Sequence, residues 1–151
     1  DDSEIRLLID SVLFSKTIPQ KQCKKLIDKL KGLSNIYFEK KVNHICSLPE
    51  IRPENKELFY TIDVLDEAIS KGKKVSFIYN SYGTDKKLHP KREREYVINP
   101  YQMVATNGRY YLICNYDKYD TLSNYRIDRI TGIFRNIWQN ICICLPVKAY
   151  E

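Results

Sequence analysis

Ile5, Leu8, Ile9, Val12 and Leu13 recur at helical spacing behind Ser3, a hydroxyl cap with Glu4 in the first turn, and predict a helix over about residues 4–15. Its apolar stripe needs a partner, and Cys23, Leu26, Ile27, Leu30 and Leu33 form a second stripe that opens near Thr17 and Pro19 and stops around Gly32. Ser34 opens a shorter third helix through Tyr37, Phe38 and Val42, and the irregular stretch from Ser47 to Pro53 is a connector because its prolines lack amide donors. Leu58, Ile62, Leu65 and Ile69 mark a fourth helix over about residues 54–71, with Gly72 placed for a left-handed cap.

After Gly72 the period changes from helical to alternating. Val75, Phe77 and Tyr79 alternate with Ser76, Ile78 and Asn80, and Tyr82 to Asp85 reads as a turn. A basic stretch from Lys86 to Arg94 leads into a strand from Tyr96 to Ala105. Pro100 cannot donate to a central ladder, so the strand is expected to bulge or lie at an edge there. Asn107-Gly108 is a hairpin turn joining this strand to Arg109–Asn115, because both residues tolerate positive φ. A strand from Leu122 to Ile130 and a last one from Ile137 to Leu145 complete about five consecutive strands. They predict an α+β fold: about four helices, then a small, strongly curved antiparallel sheet or barrel.

Composition narrows the classes. At 151 residues, with 43% hydrophobic and 29% charged positions, the chain has room for one ordinary domain or two very small ones, which excludes a large multidomain enzyme. No apolar run reaches the roughly 18 residues of a membrane span, and Asp1-Asp2-Ser3-Glu4 does not start a signal peptide, so no membrane partner and a cytoplasmic location are expected. The missing initiator Met points to a piece of a longer polypeptide. Five scattered cysteines without a C-x-x-C pair argue against structural zinc and for reduced thiols; Cys142 and Cys144 alternate as packed strand positions would.

The charge is segregated. Up to Gly72, 12 Lys+Arg balance 12 Asp+Glu; beyond it, 13 face 7, which accounts for the whole net charge of +6. Ten of the 12 tyrosines lie in the same second part. Cations attract phosphate and aromatic faces stack on bases, so nucleic acid or a nucleotide-like anion is one expected partner. The other reading is that tyrosines favour strands and lysines decorate a surface. The lysines at 21, 24, 25, 29 and 31 form a solvated helix face with no binding role assigned. No phosphate-cradling glycine loop, H-E-x-x-H, G-x-S-x-G or carboxylate cluster is present, and a Cys114–His89 nucleophile has no local support, so neither enzyme activity nor a cofactor or metal is expected.

Pro100, Gly108, Arg109-Tyr110-Tyr111-Leu112-Ile113 and Tyr125-Arg126-Ile127-Asp128-Arg129-Ile130, in this order, resemble the WYL domain family. Tyr110-Tyr111-Leu112 stands where the family has Trp-Tyr-Leu, with Tyr for Trp at the first position. The resemblance covers about residues 1–133. It implies a helical linker and dimerisation segment over 1–52, a WYL domain of leading helix plus Sm-like, SH3-type barrel over 53–133, and a C-terminal strand or tail over 134–151, which departs from the family's usual extension. It also implies function: the sensory part of a homodimeric bacterial transcriptional regulator. Such a domain binds a ligand, single-stranded nucleic acid among them, and controls a DNA-binding winged helix that would precede Asp1.

The expected ligand residues follow. Arg126 and Arg129 offer guanidinium forks to phosphate, but residues three apart in a flat strand face opposite sides, so the strand must twist, bulge or end between them. Otherwise either arginine pairs with a carboxylate such as Asp117 or Asp120. Tyr111 is placed on the ligand side by carry-over from the motif, with Tyr110 opposite. Arg92 and Arg94 would share one side of an extended stretch and complete a basic rim beside His89 and Lys91. Tyr79 and Tyr101 are further candidates, each with packing as the other reading. The alternative is a protein-interaction or oligomerisation module whose tyrosines form a subunit interface.

Overall fold

In the computed structural model the described residues are 1–33 and 55–140, with side chains described as far as Phe134. The expected helix from Ser34, the connector up to Pro53 and the positions of Cys142 and Cys144 lie outside them. The chain divides into two compact units, residues 1–54 with 107–109, and residues 55–106 with 110–151.

In the first unit, α1 spans Asp2–Phe14 and α2 spans Gln20–Lys31. The cap of α1 is Asp1, not Ser3: its carboxylate accepts the N–H of Ser3 at 2.8 Å and of Glu4 at 3.0 Å, while the Glu4 carboxylate reaches back to the Asp1 nitrogen. A charged acceptor two residues earlier closes the capping box, so the helix starts sooner than the apolar stripe suggested. Pro19 precedes α2, where its missing N–H costs nothing, and Gly32 follows it. Ile9 is fully buried against Ile5, Leu13, Ile27 and Leu30, the contact the two stripes called for. Asn107 and Gly108 adopt φ of 50° and 73°, as a tight hairpin turn requires, and the Lys16 N–H donates to the Gly108 carbonyl at 2.7 Å.

In the second unit, α3 (Leu58–Ser70) buries Leu58, Thr61, Leu65 and Ala68 along one stripe. Gly72, at φ +59°, turns the chain into the sheet. The strands are β1 (Lys73–Tyr82), β2 (Leu88–Pro90), β3 (Tyr96–Thr106), β4 (Arg109–Tyr116), β5 (Tyr119–Arg126) and β6 (Ile130–Asn140), with a 3-10 turn over Ile127–Arg129. They form one curled antiparallel sheet, a half-barrel, in the order β2-β1-β3-β4-β5 with β6 on β1. β1 is the hub: it pairs with β3 (Val75 opposite Ile98), with β2 (Asn80 opposite Pro90) and with β6 (Tyr79 opposite Ile130). Val75, Phe77, Ile98, Leu112, Cys114, Ile127, Ile130 and Ile133 build its core with Leu65 and Ala68 of α3.

Two expectations change in the sheet. The strand expected from Leu122 to Ile130 stops at Arg126, and β6 runs unbroken from Ile130 to Asn140 where a separate strand from Ile137 was expected. Ile127 and Ile130 are both wholly buried, and positions three apart share a face in a helical turn but not in a strand. Pro100 lies in β3, whose neighbours are β1 and β4, so it is not on an edge strand. It sits two residues past the last β1 pair, Val75–Ile98, and removes no donor from that ladder.

Candidate ligand site

The end of β5 and the 3-10 turn place the two arginines. Because the strand ends at Arg126, the opposite-face constraint of a flat strand does not apply to Arg126 and Arg129. The Arg126 fork, however, is held within the chain: Nε donates to Oδ1 of Asp128 at 3.0 Å and Nη2 to Oδ2 at 2.6 Å. The Asp128 side chain is fully buried, so this is a desolvated pair. Burial alone would lower the Arg126 pKa, but the bonds to Asp128 outweigh it and hold the guanidinium above its ordinary value. The carboxylate partner is therefore Asp128; Asp117 is bonded to Lys74 instead.

Arg129 has different surroundings. Its guanidinium carbon lies 5.6 Å from the centre of the Tyr82 ring, and its Nε is buried with no hydrogen-bond partner among the described residues. The turn that carries it is held by two buried asparagines. Asn55 Nδ2 donates to the carbonyls of Asp128 at 3.2 Å and Ile130 at 2.7 Å. Asn80 Nδ2 donates to the carbonyl of Arg129 at 3.0 Å and to Thr131 Oγ1 at 2.8 Å. Each amide closes carbonyls that a short turn leaves open, so the backbone under Arg129 is set by the core and not by solvent.

Tyr111 stands directly opposite Arg126 across the β4–β5 ladder. Tyr79 is only 7% exposed; its hydroxyl accepts the Arg126 backbone N–H at 3.3 Å, and its ring belongs to a cluster with Phe77, Tyr96 and Tyr125 at centroid distances of 4.8 to 6.5 Å. Tyr79 is thus largely a packing residue that touches the site through its oxygen. Tyr116 and Tyr125 share a hydrogen bond between their hydroxyls, and burial pushes both phenols above their ordinary pKa.

The stretch holding Arg92 and Arg94 is bent, not extended, so their two-residue spacing does not by itself put them on one side. Arg92 Nε and Nη2 bond the carbonyls of Arg94 and Glu95 at 3.2 Å, and its guanidinium carbon lies 3.4 Å from the centre of the Tyr96 ring. Lys91 Nζ is 5.6 Å from the Tyr79 ring centre. Contacts therefore link Arg126, Tyr79, Tyr96 and Arg92 in one run, whereas Arg94 contributes an exposed side chain and an accepting carbonyl. His89 Nε2 bonds both oxygens of Asp85 at 3.0 Å, and the Cys114 thiol donates to the Ser123 carbonyl at 3.5 Å with its pKa pushed up to about 12 by burial. Cys114 and His89 make no nucleophile pair.

Sequence reasoning missed Asp128, Tyr82, Tyr96, Asn55 and Asn80. The spacing of Arg126 and Asp128 could have pointed to their pairing; nothing local marked the asparagines. It also missed a polar network: Asn99 Nδ2 donates to Asn115 Oδ1 and Asp117 Oδ1, each at 2.9 Å, and Tyr101 Oη donates to Asn115 Oδ1 at 2.9 Å. Bonds from Lys74 and then from Asn99 hold the Asp117 carboxyl below its usual range. A lowered carboxylate pKa adds stability above the unfolded value of about 3.9 that is lost as pH falls through the folded one. Asp117→Asn should therefore flatten the acid limb of the stability–pH curve, measured by urea unfolding at several pH values, and an unchanged limb would remove Asp117 from the balance.

Among solved structures, the chain is similar to Proteasome accessory factor B/C (PafBC) of Arthrobacter aurescens, at 14% identity and a TM-score of 0.46, over 94% of this chain and 21% of that one. It thus spans about a fifth of that protein's length. Comparison with curated proteins finds no match. Residues 60–134 match the WYL domain family. That range takes in Pro100, Gly108, Tyr110-Tyr111-Leu112 and Tyr125 to Ile130, the positions on which the resemblance was drawn. The chain therefore carries a WYL domain over residues 60–134.

Proposed function

We propose that this chain is the effector-sensing part of a bacterial transcriptional regulator, without catalytic activity of its own, and that it binds a phosphate-bearing effector, single-stranded nucleic acid or a nucleotide, on the face carrying Arg126, Arg129, Tyr111, Arg92, Arg94 and Tyr79. The half-barrel supports reading the fold as Sm-like; in this reading the helices of the first unit would relay to a DNA-binding domain in a homodimer. One observation carries the ligand reading. Arg126 is matched by a buried carboxylate, while Arg129, three residues on, has a buried Nε with no acceptor among the described residues. A phosphate oxygen would complete that group. Arg129 is then the principal anion ligand, and Arg126 with Asp128 frames it.

The test titrates fluorescent ten-residue single-stranded DNA and RNA, and a labelled mononucleotide, against the wild type and Arg129→Gln at two salt concentrations. Binding should weaken at least tenfold in the variant, and the salt slope should fall by about 1, the loss of one phosphate contact. Equal affinity and equal slope would remove Arg129 from the site. No binding by any probe would favour the interaction-module reading, which has its own support: Leu7, Leu8 and Phe14 of α1 are 68%, 51% and 68% exposed, an apolar set suited to a second subunit.

A further inference from the structure

A groove of about 400 Å³ lies within the second unit, lined by none of the residues assigned to the anion. Ile62, Asp66 and Ile69 of α3 line it, one helical face by their spacing, together with Tyr101 and Met103 of β3 and Tyr110 of β4. The volume is that of small-molecule sites. Its charge runs against the rest of the unit: α3 bears Asp63, Asp66 and Glu67 with no Lys or Arg, in a chain of net charge +6. Glu67 is paired with Lys71 at 2.6 Å. Asp66 brings the one carboxyl group to the groove lining, and its side chain has no hydrogen bond or ion pair among the described residues; its backbone carbonyl accepts from Ser70 Oγ at 2.8 Å.

We propose that this groove binds a small organic cation, an ammonium group on an apolar or aromatic body. Asp66 supplies the counter-charge, the tyrosine rings at 101 and 110 attract the cation through their π faces, and Ile62, Ile69 and Met103 hold the apolar body. The Tyr101 hydroxyl is fixed by its bond to Asn115, so that ring is already positioned before a ligand arrives. The groove shares no residue with the group around Arg126 and Arg129, so this site stands or fails independently of the anion reading.

Benzyltrimethylammonium is the probe, with benzylsulfonate as its anionic counterpart, each titrated into the ¹⁵N-labelled full chain and followed by amide chemical shifts. Saturable shifts at Ile69, Gln102, Met103 and Tyr110 are expected with the cation alone. Asp66 is exposed, so Asp66→Asn keeps the fold and should weaken binding about tenfold. Asp66→Lys should abolish cation binding and admit the sulfonate. Tyr110→Leu, which leaves the charge in place, should also weaken the cation. Three outcomes would overturn the site: no saturable shift at these amides, equal response to benzylsulfonate in the wild type, or undiminished cation binding in Asp66→Asn.

Discussion

Asp128→Ala lowers the unfolding free energy by about 3 kcal/mol, as expected when one partner of a buried ion pair is removed and the other charge stays behind. The Asp128 side chain is wholly buried and that of Arg126 only 19% exposed, so solvent does little to screen the stranded guanidinium. Two hydrogen bonds are lost with the charge, and the turn that carries Arg129 loses the side chain at its centre. Arg126→Met combined with Asp128→Leu should recover most of the loss, because the pair's desolvation disappears with it. Urea unfolding of the wild type, Asp128→Ala and the double variant makes the comparison. A loss under about 1 kcal/mol for Asp128→Ala would place the pair among solvent-screened surface bridges.

The second large effect belongs to Phe77→Ala, expected to cost about 4 kcal/mol, within the range for deleting a buried aromatic ring. Phe77 is 0% exposed and lies at the centre of the tyrosine cluster, stacked on Tyr96 at 5.7 Å and edge-on to Tyr125 at 5.5 Å. The hole would remove the ring on which Tyr96 stacks, and with Tyr96 the seat of Arg92. Thermal unfolding should therefore shift down together with loss of near-ultraviolet circular dichroism from the ordered tyrosines. Tyr110→Ala, at a position 40% exposed, is the control and should cost under about 1 kcal/mol. Equal losses in the two variants would mean that the cluster does not hold the sheet together.

What could be read from the chain was whatever has a local period or a local backbone demand. The stripes around Ile9 and Leu65, the alternation at Val75, Phe77 and Tyr79, and the positive φ at Gly72, Asn107 and Gly108 all follow from spacing or from sterics between neighbours. The strand end at Arg126 was not read: the strand was expected to run on to Ile130, and an end, twist or bulge entered only as a condition for the two arginines to serve one ligand. What stayed hidden is non-local. Asn55 reaches carbonyls more than 70 residues away, and Asn80 one 49 residues away, so no window of sequence contains both ends of those bonds. The bend around Arg92 was hidden for a related reason: its guanidinium turns back onto carbonyls two and three residues on and onto the Tyr96 ring, a tertiary choice that charge spacing does not reveal.

The pairing of β1 with three strands also dictates an order of events during folding. Its ladder with β6 joins Lys73 to Asn140, so that flank stays unpaired until some 65 intervening residues have been arranged, a loop whose closure is slow relative to any hairpin. Until then Val75 to Tyr79 presents an open row of amides and carbonyls flanked by aromatic side chains, the kind of template on which a second chain can nucleate. A version of the protein cut before Ile130 would lose every β6 partner of Val75 to Tyr79 and carry that vulnerability permanently.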